Sequence, residues 1–312
     1  MEEQRPKREV WSEPDFVRRY ALEALATLGG EVRAQDITLR MYEGDVAEYR
    51  SGEVAVVAKV YSDRARSDHT WAVLRTLTAE GFGVGSPYRI PRPLLRTPDG
   101  SVIFMEAARD APLSPGDAAA FVTGCRRAGE WLAHLHARAA RVGAPTGSSE
   151  VLADVHEQLA VAEERGVVVA AYRDLQERIE HALARTDRME RVQTHGRFHP
   201  GHAFIGPEAI TLIDFDRSCP RDPAVDVATF LYRLHTLRLK GKIDAGGVLA
   251  DAEAALLQGY GRTPAHLDAY LAAAWFGAVL RTLGKRRADP QEREHRLRYS
   301  EAQLHRSGAA TI

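Results

Sequence analysis

The stretch that decides the reading runs from His195 to Phe230, HGRFHPGHAFIGPEAITLIDFDRSCPRDPAVDVATF. It opens as a loop rich in glycine, proline and histidine. Two short apolar pieces, Ala203 to Ile205 and Ile210 to Ile213, follow with Gly206-Pro207 between them, and that punctuation predicts a hairpin. The second piece ends in Asp214 and Asp216, and Asp222-Pro223 then opens a helical run. Carboxylates displayed where an apolar strand ends, facing a polar loop, suit a divalent cation that carries phosphate oxygens. Asp214 and Asp216 are therefore candidates for metal chemistry.

Working outward, the sequence on both sides of this stretch has helical period. Phe121, Cys125, Ala128, Leu132 and Leu135 fall on one stripe of a long helix, and Tyr172, Leu175, Ile179 and Leu183 do the same in a later one. Further helices are expected over 150–164, 223–240, 247–259, 264–284 and 290–306. Before residue 107 the pattern is different. Ile37 to Tyr42, Val46 to Arg50 and Val54 to Tyr61 are rich in β-branched and aromatic residues, broken by Glu43-Gly44-Asp45 and Ser51-Gly52, and predict an antiparallel meander. A second strand pair, Leu94 to Arg96 and Val102 to Glu106, is joined by the turn Thr97-Pro98-Asp99-Gly100. One helix around Asp68 to Thr78 and a leader helix from Asp15 to Leu28, stopped by Gly29-Gly30, complete this part. The sum is an α+β protein: a first lobe over 1–107 with a small antiparallel sheet, and a mainly helical lobe over 108–312 that holds the loop at 195–228.

The 312 residues suffice for such a two-lobed interior, and 45% apolar with 27% charged residues is ordinary for a globular chain. A formal net charge of -1 gives no electrostatic case for nucleic acid or an anionic membrane as partner. Two cysteines, Cys125 and Cys219, form no stapling framework, and the polar start MEEQRPKREVWSEPDF has no signal-like apolar core. The expected setting is the cytoplasm.

The stretch from His195 resembles the catalytic region of the aminoglycoside phosphotransferase and choline-kinase-like family, whose pattern is H-G-D-x-x-x-x-N, a hairpin, I-D-F or I-D-W, then D-P-x-x-D-L-A. The chain supplies His195-Gly196, His199-Pro200-Gly201, Ile213-Asp214-Phe215-Asp216 and Asp222-Pro223-Ala224-Val225-Asp226-Val227-Ala228 without a gap. Val56-Val57-Ala58-Lys59-Val60 resembles the family's third strand, Ile103-Phe104-Met105-Glu106 its hinge, and Trp131-Leu132-Ala133-His134-Leu135-His136 its long helix. Leu257-Gln258-Gly259-Tyr260-Gly261 resembles its late Gly-Tyr signature. The resemblance implies a protein-kinase-like fold with ATP and Mg²⁺ held between the lobes. It gives Lys59, the turn at Gly44 and the hinge residues Met105 and Glu106 to the nucleotide, and Asp214 to the metal, with Asp216 beside it and His202 at the second metal-binding position. His195 and Asp226 become braces of the loop.

Two central positions depart from the pattern. The catalytic aspartate is replaced by Arg197 and the metal-binding asparagine by His202. The helix glutamate that normally pairs with the lysine is missing, its place lying nearest Thr70, with Asp68 as a substitute, and the turn over the phosphates carries two carboxylates, Glu43 and Asp45. A guanidinium at 197 discourages a nearby Mg²⁺ but suits a phosphate, and His199 is a candidate substitute base. His195, His199 and His202 are better explained as structural residues of the family's loop than as a zinc site. Two functions follow: a phosphotransferase that acts on a hydroxyl of a small molecule or of a peptide Ser or Thr, with Arg197, His199 and Asp214 in the site; or an inactive pseudokinase that serves as a binding module for a partner enzyme.

Overall fold

A computed structural model describes residues 11–29, 31–42, 45–165, 170–188, 191–244, 247–283 and 290–307. It separates into two compact units, residues 1–111 with 204–217, and residues 112–203 with 218–312. The division thus falls slightly beyond the composition shift at 107. It also groups the hairpin from the middle of the decisive stretch with the sheet.

In the first unit a helical run, α1 (14–26), contains a π-helical stretch at Val17–Ala21 and buries Ala21, Ala24 and Leu25. Strands β1 (Thr38–Met41), β2 (Val46–Ser51) and β3 (Val54–Val60) follow, then helix α2 (Arg64–Ala79), the two-residue β4 (Tyr88–Arg89), β5 (Pro93–Arg96) and β6 (Val102–Glu106). The main sheet has the order β1-β2-β3-β6-β5 and is antiparallel throughout. Val56, Ala58 and Val60 point into a core that includes Ala24, Leu25, Tyr49 and Phe104. The two-residue period of a strand then sends Lys59 to the opposite face. Tyr49 donates its hydroxyl proton to the Trp11 carbonyl at 2.6 Å, tying the segment before α1 to the sheet.

Helix α2 begins at Arg64, four residues ahead of the expected start at Asp68, because Asp63 caps it by accepting from the Ala65 N–H at 2.9 Å. The polar run Arg64-Ala65-Arg66-Ser67 hides that first turn from a hydrophobic pattern. The strand Ile210–Leu212 pairs in parallel with β4, Ile210 opposite Tyr88 and Thr211 opposite Arg89, which is why the hairpin joins this unit. Its turn is closed by the Gly206 N–H on the Ala209 carbonyl at 2.9 Å.

The second unit is built from α3 (Ala118–His136), α4 (Ser148–Glu164), α5 (Ala170–Ala184), α6 (Ala224–Leu239), α7 (Gly247–Tyr260), α8 (Leu267–Leu280) and α9 (Pro290–Arg306). The stripe Phe121, Cys125, Ala128, Leu132 and Leu135 is buried as its spacing predicts. Burial pushes the Cys125 thiol up to about 12. Helix α8 is buried nearly all round and forms the centre of the unit. Helices α3 and α7 approach until backbone meets backbone: a Cβ on Gly129 would collide with the Leu256 carbonyl, and one on Gly259 with the Arg126 carbonyl. Among the described residues no helix is long and apolar enough to cross a membrane.

Candidate functional site

In the first unit, Lys59 and the two carboxylates come together. The Lys59 ammonium donates to Asp214 Oδ1 at 2.7 Å and lies 2.8 Å from Asp216 Oδ2. Asp216 also accepts from the Tyr61 hydroxyl at 2.9 Å and from the Arg66 guanidinium at 3.3 Å, with the Thr70 hydroxyl at 3.5 Å. Burial, followed by the charge of Asp216, pushes the Tyr61 phenol well above its ordinary range, so it stays a neutral donor. Asp214 has a φ of 71°, the one positive value at a non-glycine residue among the described ones. Aspartate tolerates this left-handed conformation better than most residues, but a strained carboxylate of this kind is a marker of a functional position.

The sequence leaves Asp68 as the substitute partner for Lys59. The structure corrects this: Asp68 forms ion pairs with Arg64 and Arg96, and Thr70 is buried with its hydroxyl donating to the Arg66 carbonyl at 2.9 Å. Asp216 takes the missing glutamate's place beside Lys59.

The second unit holds the loop. Asp226 is fully buried and accepts from the His195 N–H at 2.7 Å and the Gly196 N–H at 2.8 Å. His136 Nε2 donates to the same carboxylate at 3.1 Å, and its Nδ1 stands 2.9 Å from the Tyr260 hydroxyl. Burial alone would raise the Asp226 carboxyl; the hydrogen bond and charge of His136, followed by those of His195, outweigh it and hold the group below the ordinary carboxylate range. The root of the loop is tied down as well, because the Thr194 N–H donates to the Cys219 carbonyl at 3.0 Å and the Ser218 hydroxyl to the Thr194 carbonyl at 2.6 Å.

Arg197 is exposed at the tip of this loop, its N–H donating to His195 Nδ1 at 3.2 Å. His202 Nδ1 lies 3.1 Å from the Arg197 carbonyl, which makes that nitrogen the protonated one. The His199 and His202 rings are 3.5 Å apart between centroids, and His195 stacks on His202 at 5.7 Å. Among the described residues no group of three or more His, Cys, Asp or Glu side chains that could hold a metal ion is present.

At the end of β6, Met105 is buried, and the Glu106 carboxylate lies 3.5 Å from Arg92 and 3.3 Å from Arg109. The Glu106 N–H is taken by the Arg92 carbonyl at 2.9 Å. A cavity of about 220 Å³ beside this segment is lined by Ile90, Arg92, Glu106, Asp110 and Gly206, among others. Gly44 lies outside the described residues.

The donor set does not fit a resident Mg²⁺ in this arrangement. The carboxylates of Asp214 and Asp216 are paired with Lys59 and Arg66, which a divalent cation would have to displace. Sequence reasoning found Lys59, Asp214 and Asp216 but not their ring of neighbours. Tyr61 and Arg66 carry no motif, and Tyr260 appears in the sequence only as part of a Gly-Tyr signature.

A sequence model of the phosphotransferase enzyme family matches residues 49–270. No curated protein sequence matches. Among solved structures, a choline/ethanolamine kinase family protein from Mesorhizobium loti superposes with a TM-score of 0.63 at 19% identity, covering 93% of this chain and 94% of its own. The choline kinase of Streptococcus pneumoniae gives a TM-score of 0.62 at 13% identity over 93% of this chain and 99% of its own. An aminoglycoside phosphotransferase of Streptomyces rimosus gives 0.57 at 16% identity, over 82% and 97%.

Proposed function

Because the chain belongs to the phosphotransferase enzyme family and has its protein-kinase-like fold, we propose that it is a pseudokinase, a binding module that keeps the family's frame and does not phosphorylate a hydroxyl. The observation that carries this reading is the charge balance of Lys59 and Arg66 against Asp214 and Asp216. In active members of such folds, ATP supplies a γ-phosphoryl group whose oxygens are carried by Mg²⁺, and catalysis is mostly positioning and electrostatic stabilisation. Here the lysine that would take a phosphate is already held by two carboxylates. The position of the hydroxyl-orienting base is occupied by Arg197, which accepts no proton. Loss of a general base alone costs about 10²- to 10⁴-fold in rate.

One observation favours an active enzyme instead. Asp214 is held at a positive φ, and Lys59, Asp214 and Asp226 are all present and ordered. In that reading His199 accepts the hydroxyl proton of a small-molecule or peptide acceptor.

Turnover separates the two. The purified chain is incubated with labelled ATP and Mg²⁺ or Mn²⁺ beside Arg197→Asp and Asp214→Ala, and phosphate release is followed. No release from the wild type is expected, and release that appears only in Arg197→Asp would place the defect at that position. Wild-type turnover abolished by Asp214→Ala would overturn the proposal.

A further inference from the structure

The cavity beside the end of β6 lies wholly in the first unit, and Lys59, Asp214 and Asp216 are not among the residues that line it. Its walls are the segment from Arg89 to Arg92, the chain from Glu106 to Asp110 and the hairpin turn from Gly206 to Ala209. Val84 lines it too, at 78% exposure, in a turn closed by the Ser86 N–H on the Gly83 carbonyl at 3.2 Å. With the buried Ile90 and Pro91 it gives the cavity an apolar side.

The charges along the walls are unevenly matched. Glu106 is claimed twice, by Arg92 at 3.5 Å and by Arg109 at 3.3 Å, so two guanidinium groups share one carboxylate. The half-buried Arg92 guanidinium has this ion pair and no hydrogen bond among the described residues. Asp110 has neither a cation nor a hydrogen bond among the described residues, although Arg109 precedes it in the chain. Its half-buried carboxylate lies where a side chain on Gly206 would begin, so the bare glycine makes room for it against the hairpin turn. Of the other charged lining residues, Arg89 donates its Nε to the Ser86 carbonyl at 2.8 Å, and Glu208 is exposed on the turn.

A carboxylate and a guanidinium, both half-buried and neither hydrogen-bonded, thus line one small space without pairing. Charged groups withdrawn from water and left without hydrogen bonds are costly. A ligand of one charge answers one of them and is repelled by the other. A ligand that carries both charges answers both.

We propose that this cavity binds a zwitterion of the α-amino acid type with a small aliphatic side chain. The ammonium donates to Asp110, and the carboxylate accepts from Arg92, whose planar fork suits two carboxylate oxygens. The side chain lies against Val84 and Ile90. A volume of about 220 Å³ is the space of about seven waters at ~30 Å³ each, which suits so small a molecule and falls below the range of sites for drug-sized ligands. Because the cavity excludes Lys59, Asp214 and Asp216, the inference does not rest on the pseudokinase reading.

The test is isothermal titration calorimetry on the full chain with L-valine, beside isovalerate, which keeps the carboxylate alone, and isobutylamine, which keeps the ammonium alone. L-Valine is expected to bind at millimolar concentration, and each analogue, lacking one charge-assisted hydrogen bond, about tenfold or more weakly. Arg92→Gln and Asp110→Asn are each expected to lower the L-valine affinity about tenfold or more. Gly206→Ala, which displaces the Asp110 carboxylate, is expected to lower it in the same direction. Asp110 has no partner to lose, so Asp110→Asn decides the question even if Arg92→Gln disturbs Glu106. The proposal is overturned if L-valine does not bind, if either analogue binds as tightly as L-valine, or if binding survives Asp110→Asn unchanged.

Discussion

Asp226 in the second unit and the pair Asp214 and Asp216 in the first are carboxylates of one stretch of chain, yet their charges are answered in different ways. Asp226 is buried and met by two backbone N–H groups and a histidine, all of them fixed by the helices and loop around it. Asp214 and Asp216 are met by partly exposed side-chain cations, Lys59 and Arg66. The first arrangement is architecture: change it and the loop has no root. The second is an exchangeable set of ion pairs, and the positions that depart from the family pattern, Arg197 and His202, likewise lie at the surface of their unit. The frame is kept where hydrogen bonds must be satisfied in the interior, and altered where water or a ligand can take over.

The comparison breaks most visibly at Asp226. Replacing it with alanine strands the His195 and Gly196 N–H groups and the His136 ring nitrogen together, and breaking a buried charged network of this kind costs about 3–5 kcal/mol. Urea denaturation measures it; a loss under about 1 kcal/mol would show that the loop stands without its brace. The pH dependence has a definite sign. A carboxyl held below its unfolded value, about 3.9, stabilises the fold above that pH and loses the contribution as pH falls through the folded value. Asp226→Asn is therefore expected to flatten the acid limb of the stability curve.

A smaller effect is expected at Gly259. A methyl group there meets the Arg126 backbone of the facing helix, so the α3–α7 crossing must open. Overpacking of this kind costs about 1–3 kcal/mol. Chemical denaturation of Gly259→Ala checks it, and a neutral substitution would show that the two helices part freely.

Much of the frame was legible in the chain itself, for physical reasons that hold locally. The stripe from Phe121 to Leu135 has the helical period, the run Val54 to Val60 has the strand's, and Asp222-Pro223 marks the start of α6. Gly259 was visible as part of a signature, but its reason, a backbone contact with α3, needed the second helix in place. Partners across long separations were not legible. Lys59 finds Asp214 across 155 residues, and nothing around Asp68 shows that its carboxylate is already claimed by Arg96.

The smallest effect sharpens the comparison from the side of the first unit. In Lys59→Ala the Asp214 and Asp216 carboxylates lose the cation they share, while Arg66 still reaches Asp216. Both side chains are largely shielded, at 17% and 7% exposure, so their repulsion is not fully screened. The loss is expected to be about 1 kcal/mol, in the range of a single hydrogen-bonded contact. The variant also frees hard oxygen donors that the wild type holds against Lys59, which is what draws Mg²⁺ or Mn²⁺. Millimolar Mg²⁺ is therefore expected to raise the melting temperature of Lys59→Ala and to leave that of the wild type unchanged. An equal rise in both proteins would mean that the carboxylates hold the ion beside the lysine, and the charge balance would no longer separate this site from a working metal centre.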